Sequence, residues 1–183
     1  MTILTELHQD HINLDKLLVL LRSKVDQLRA GHHPNFNLIG DVVSYIAGYA
    51  DGFHHPREDK IYAHFKGRDT ELDPLLDNCE KEHNDLKQSS TQLQDAIDGI
   101  LHDAVIPMNE FADLLDDYVS RQTLHLNLEE GDIFPKLEAL AEEKDWSYLA
   151  EQLPKPEDPL FGEKQAVEFT DLYKELIIDM NAA

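Results

Sequence analysis

Four successive stretches of this chain carry apolar residues spaced alternately by three and four, and each has a histidine within that seam. The first holds Leu7, His11, Leu14, Leu18, Leu21, Val25 and Leu28. The second holds Val43, Ile46, Ala47, Ala50, His54, Glu58, Ile61 and Phe65. The third runs Leu72, Leu76, Cys79, His83, Leu86, Ser90, Leu93, Ile97, Ile100, and the fourth Phe111, Leu115, Tyr118, Gln122, His125, Glu129, Ile133, Leu137, Leu140. Residues three and four apart share one face of an α-helix, so the pattern is satisfied by helices that bury those faces against one another. No run alternates convincingly at period two, which excludes strands. The expected fold is all-α, an up-down-up-down four-helix bundle.

Punctuation supports the count. Ala30-Gly31-His32-His33-Pro34 and Lys66-Gly67-Arg68-Asp69 end the first two stretches, Pro74 fits a first helical turn, and Pro107 opens the fourth stretch. Pro135 falls inside the fourth pattern, where a kink or local break is expected. Residues 1–144 are therefore read as the bundle and 145–183 as a C-terminal appendage. In the appendage Asp145 to Leu153 is expected to form a short helix, Pro154 to Pro159 a connector, and Glu163 to Met180 another helix. Phe161, Phe169, Leu172, Leu176 and Ile177 are expected to pack back on the bundle or to meet a partner subunit.

The seam histidines carry the chemistry. His54 and Glu58, and likewise His125 and Glu129, stand at i and i+4, one above the other on a helix face. A single HxxxE pair arises about once by chance in so histidine- and glutamate-rich a chain; placement is what separates these. At about 1.5 Å rise per residue, His11, His54, Glu58, His83 and His125 fall within a band of roughly 12 Å in an antiparallel bundle. His64 lies outside that band, and His32 and His33 are in a loop. Taken singly, each histidine could be a hydrogen-bonded core residue. Two buried carboxylates beside four imidazoles require compensation, because an unpaired buried charge costs several kcal/mol, and a pair of cations supplies it. The expected metal ligands are His11, His54, Glu58, His83, His125 and Glu129. Imidazole and carboxylate donors suit iron, manganese or zinc. Cys79, on the same seam one turn before His83, reads as a small buried hydrophobe ahead of a ligand or redox group, Tyr118 as core packing or, with Gln122, a hydrogen-bonding neighbour of the site, and Asp59 and Glu130 as groups just outside it.

A net charge of −21 opposes binding to nucleic acid or to an anionic membrane. One cysteine forms no internal disulfide, and Met1 to Asp10 lacks a signal peptide, so a cytoplasmic protein is expected. Oligomeric state is not legible here.

Leu7-His8-Gln9-Asp10-His11, Phe53-His54-His55-Pro56-Arg57-Glu58-Asp59, Glu82-His83-Asn84-Asp85-Leu86 and His125-Leu126-Asn127-Leu128-Glu129-Glu130-Gly131-Asp132-Ile133-Phe134-Pro135 resemble, as an ordered set over residues 3 to 143, the hemerythrin-like HHE cation-binding domains. The resemblance implies two iron ions in a non-haem di-iron centre with an oxo or hydroxo bridge, carboxylates spanning the irons and histidines completing the set. Oxygen-carrying members have a further histidine one turn after the third-helix histidine; here that position is Lys87. The chain thus resembles the four-histidine members, and His8, His55 or water are candidates for the vacancy. The function implied is binding or sensing of dioxygen, nitric oxide or peroxide, with protection from oxidative or nitrosative stress. An enzyme reducing nitric oxide or peroxide, a cluster-repair protein, and a non-catalytic iron store or metal-stabilised interaction protein are the alternatives.

Overall fold

A computed structural model describes residues 2–182 and, of the side chains, those up to residue 178. Met1 and Ala183, the outer bounds of the two expected domains, lie outside the described residues. The described backbone is all-α, with no strand among the described residues.

Helix α1 (Ile3–Arg29) starts at Thr2, whose hydroxyl accepts from Thr5 N–H, and ends at Gly31 with φ +79°. The left-handed φ is open to glycine without a Cβ clash. A second rod begins as α2 (Phe36–Tyr45), capped by the Asn35 side chain, widens into a π-helical segment (Ile46–His54), and continues as α3 (His55–Phe65). After Gly67, also at positive φ, α4 (Asp73–Leu101) forms the third rod with Pro74 in its first turn. The fourth is α5 (Met108–Leu128), a π-segment (Glu129–Ile133) and α6 (Phe134–Leu140).

Both wide turns end just before a proline. A proline inside a helix removes one N–H and pushes against the carbonyl four residues back. The residue before each proline instead donates five residues back, His55 N–H to Ala50 O and Phe134 N–H to Glu129 O. The expected break at Pro135 is thus replaced by a π-segment that carries the rod onward into α6.

The rods form a helical bundle: α1 packs on α5, α5 on α4, α4 on α2, and α2 on α1. Arg22 and Arg29 of α1 both reach Asp116 of α5. Two apolar clusters fill the interior. The larger includes Leu14–Leu28 of α1, Leu38–Ala50, Leu93 and Ile97, and Phe111–Leu126; the smaller includes Ile3 and Leu7, Ile61–Phe65, Leu72–Cys79 and Ile133–Leu137. In the first three rods the seam histidine lies between the parts given to the two clusters, and in the fourth His125 stands beside Leu126 at the end of the larger cluster's part, so a polar layer crosses the bundle there.

Helix α7 (Glu143–Gln152) opens with a capping box in which the Glu142 and Asp145 side chains take each other's backbone N–H, and Leu149 enters the smaller cluster. The helix expected from Glu163 begins later, as a 3₁₀ turn (Val167–Phe169) followed by α8 (Thr170–Ala182). Asp158 is the reason: its Oδ1 takes the N–H groups of Leu160 and Phe161, and Ala166 N–H closes on Pro159 O, so the intervening backbone is turned. The Tyr45 hydroxyl donates to Asp158 Oδ2 at 3.0 Å. Leu160, Phe169, Leu172 and Leu176 join the larger cluster, whereas Ile177 is 41% exposed and contributes nothing to it.

Candidate metal centre

The polar layer gathers all six side chains expected as ligands. His11 and His54 face each other with Nε2 atoms 3.0 Å apart. Glu58 Oε1 lies 3.3 Å from His11 Nε2 and 3.1 Å from His54 Nε2, while its Oε2 lies 3.5 Å from His83 Nε2. Glu129 mirrors this: Oε1 is 3.5 Å from His83 Nε2, and Oε2 is 3.3 Å from both His11 Nε2 and His125 Nε2. Each carboxylate therefore spans the two sides of the layer. Both glutamates are 0% exposed.

Why every histidine turns Nε2 inward is visible at its other nitrogen. His54 Nδ1 pairs with Asp10 at 3.2 Å, His83 Nδ1 with Asp59 at 2.6 Å, His125 Nδ1 with Glu82 at 3.1 Å, and His11 Nδ1 with Glu130 at 2.7 Å. The four pairs make a closed circuit in which each rod lends a carboxylate to the histidine of the next. A carboxylate on Nδ1 fixes ring orientation and leaves Nε2 as the free donor. The circuit extends outward: Lys155 Nζ donates to Asp10 at 2.8 Å, the Tyr49 hydroxyl donates to Asp10 Oδ2 at 3.4 Å, and His8, half-exposed, pairs with Glu130 at 2.9 Å. Tyr62, buried, donates its hydroxyl to Glu129 Oε1 at 2.6 Å.

The electrostatics follow from burial set against charge. Burial drives the His11 imidazole down, but Glu129, Glu130 and Glu58 outweigh it and hold its pKa well above normal. His54 is raised in the same way by Glu58 and Asp10, and His83 to about 10 by Asp59, Glu129 and Glu58. Glu58 is lowered to about 2 and Glu129 well below the usual carboxylate range, because the imidazolium partners overcome desolvation and mutual repulsion. The metal-free cluster therefore stores protons on nitrogens where a cation would otherwise sit. His55 is the exception: burial, then the charges of His83 and His125, push it well below normal and keep it neutral.

His55 is, from sequence, one candidate, with His8 and water, for the position that Lys87 leaves open. It is 2% exposed, its ring stacks on His83 with centroids 4.4 Å apart, and it forms a donor cluster with Glu58, His83 and His125. Cys79, expected as a hydrophobe, is fully buried but donates its thiol to Glu129 Oε1 at 3.1 Å. Burial, with Glu129 and Glu58 beside it, raises the thiol pKa strongly. Tyr118 pairs with Ser90 at 3.2 Å inside the larger cluster, and Lys87 is exposed. His64 bonds Asp145 at 2.9 Å, outside the layer. Asp10, Glu82 and Tyr62 were not singled out from sequence; the adjacency of Asp10 to His11 and of Glu82 to His83 was the available signal.

Whether a cation fits is answered by the unpaired atoms. Both Glu58 oxygens, Glu129 Oε2 and His125 Nε2 are buried and, although imidazoles and carboxylates stand 3.1–3.5 Å away, none completes a hydrogen bond of good geometry, while His55 Nδ1 faces Asp51 Oδ1 at 3.2 Å. Buried polar atoms are normally paired; four converging acceptor-capable atoms left open match the donor set of a metal ion. Ligand atoms of His11, His54 and Glu58 also lie within 4.8 Å of one another. An open cleft of about 190 Å³, lined by Glu82, Asp85, Leu86, Arg121, Leu124 and His125, reaches the layer from the α4–α5 side. A larger groove, about 600 Å³ between Tyr45, Tyr49, Phe53 and Phe169, is lined by none of these donors.

Fold and layer together define an all-helical protein built to bind metal on buried histidines and glutamates. Residues 2–137 match the family model described as the hemerythrin HHE cation binding domain, and the chain belongs to that family. No curated protein and no solved structure matches it. No helix among the described residues is long and apolar enough to cross a membrane.

Proposed function

We propose that this protein holds a non-haem di-iron centre and binds or senses a small diatomic ligand or peroxide. His11 and His54 would hold one iron and His83 and His125 the other, with the Glu58 and Glu129 carboxylates supplying oxygen donors between them. His55, neutral and against His83, takes the place of the further histidine for which Lys87 stands exposed. The observation carrying this reading is the pair of fully buried glutamates, each within 3.5 Å of imidazoles on both sides of the layer. Iron so held supplies open coordination positions and reversible one-electron chemistry. Manganese and zinc suit the same donors; iron is favoured by the family.

Around that centre the chain's own residues exclude water and orient the donors. The two apolar clusters close the layer from either end, the carboxylate circuit fixes the imidazoles, and the cleft of about 190 Å³ beside His125 is the approach that a small molecule would take. The alternation of cluster order along the rods supports an up-down-up-down four-helix bundle over residues 1–144, with residues 145–183 as an appendage packed on it. A lone free thiol and strong negative charge support a cytoplasmic protein, acting in oxidative or nitrosative stress rather than on nucleic acid or membranes. Stopped-flow mixing of the ferrous protein with dioxygen, nitric oxide and peroxide should give ligand-dependent absorption changes. Identical, unresponsive spectra in all three would contradict the ligand role, and sustained turnover with an electron donor would make the protein an enzyme.

A further inference from the structure

Six ligands and His55 do not account for everything facing Glu129. Cys79 stands one turn before His83 on the same face of α4, so both project toward the layer. Its Sγ is 3.1 Å from Glu129 Oε1 and 3.7 Å from His83 Nε2, and those two atoms are 3.5 Å apart. A tetrahedral ion bonded at about 2.3 Å to sulfur and about 2.1 Å to nitrogen or oxygen separates its donors by about 3.4–3.6 Å. All three observed edges fall within about 0.5 Å of that range. The remaining corner is also furnished. Ligand atoms of Cys79, His83, His125 and Glu129 lie within 4.8 Å of one another, and His125 Nε2 and Glu129 Oε2, both buried, have no hydrogen-bond partner. Cys79 borders the smaller apolar cluster on one side, but its sulfur is turned to a carboxylate and two imidazoles, those of Glu129, His83 and, at 4.0 Å from Nδ1, His125.

We propose that Cys79 is a thiolate ligand to the ion held by His83, His125 and Glu129, so that the two halves of the centre differ chemically. The inference rests on the two-ion reading of the layer. One half, on His11, His54 and Glu58, offers nitrogen and oxygen only. The other offers sulfur, nitrogen and oxygen, a set that takes borderline divalent ions such as zinc, cobalt(II) or ferrous iron and rejects magnesium and calcium. On binding, the S–H bond breaks, its proton leaves to solvent, and the sulfur electron pair forms the metal–sulfur bond, with no change of oxidation state.

Cobalt(II) titrated anaerobically into the full, chelator-stripped chain is the test. The wild-type protein should show visible ligand-field bands together with a near-ultraviolet sulfur-to-cobalt charge-transfer band. Cys79→Ser should abolish the charge-transfer band, keep the ligand-field bands, and weaken retention of one ion against a chelator by more than about tenfold. Ligand-field bands without the sulfur band in the wild type would overturn the thiolate ligand and leave the two-ion reading standing. Absence of any cobalt bands would overturn the two-ion reading itself, and with it this one. Should Cys79→Ser not fold, by its helical circular dichroism, the wild-type spectrum decides alone.

Discussion

Raising the pH from 6.5 to 9 should destabilise the metal-free protein, and the layer of histidines sets the size of the effect. His83 titrates near 10 in the folded chain and near 6.5 when unfolded. A folded pKa above the unfolded one contributes stability that is fully present below about pH 6.5 and disappears as the pH rises toward 10. The whole shift is worth at most about 5 kcal/mol, and about 3 kcal/mol of it is withdrawn by pH 9. His11 and His54 are raised too and act with the same sign. His55, shifted downward, and Asp51, raised to about 6, have their windows below pH 6.5 and leave this range untouched. With a urea dependence of about 2 kcal/mol per molar, the midpoint should fall by about 1.5 M. The assay is urea unfolding followed by circular dichroism, in chelator, at the two pH values. His83→Gln should flatten the dependence, and the metal-loaded protein should show none of the loss, since its imidazoles no longer carry protons. A metal-free midpoint that is equal or higher at pH 9 would refute the reasoning.

Three further outcomes follow from the same geometry. Loading the centre near pH 7 should release about three to four protons per chain, displaced from His11, His54 and His83 and from the Cys79 thiol, as read by an indicator dye in weak buffer; no release would contradict protonated imidazoles. Asp10→Asn, which loosens His54 and frees Lys155, should weaken metal retention by about ten- to a hundredfold against a chelator, while an unchanged affinity would remove the circuit from the account. Leu21→Ala, in the larger cluster, should cost about 2–5 kcal/mol in urea unfolding yet leave metal stoichiometry intact, because the cluster supports the layer without contributing a donor.

The rods and the inward histidines were legible because each signal lies within one helix. A seam of three and four places Leu7, His11 and Leu14 on one face, and i,i+4 spacing puts Glu58 beneath His54. The residues that complete the layer belong to relations between helices, which spacing does not report. Asp10 serves His54 and Glu82 serves His125 across 44 and 43 positions of chain. His55 was a candidate, but spacing could not place it inside, for another reason. An α-helix turns about 100° per residue, which sends the neighbour of an inward histidine away from the seam; the π-segment ending at His54 lies where that rule fails. Pro56 and Pro135 mark both wide turns, yet a proline in sequence reads equally as a kink. The late start of α8 was likewise invisible, because Asp158 holds the backbone through its own side chain rather than through any apolar period.

Metal content bears most directly on the central claim. Protein purified without added metal, and its Glu58→Ala, Glu129→Ala double variant, should be assayed for metal per chain alongside their visible spectra. The account predicts two iron ions per wild-type chain with a charge-transfer band, and loss of both ions and band in the variant. A wild-type chain that takes up no metal, or a double variant that keeps two ions with an unaltered spectrum, would contradict it.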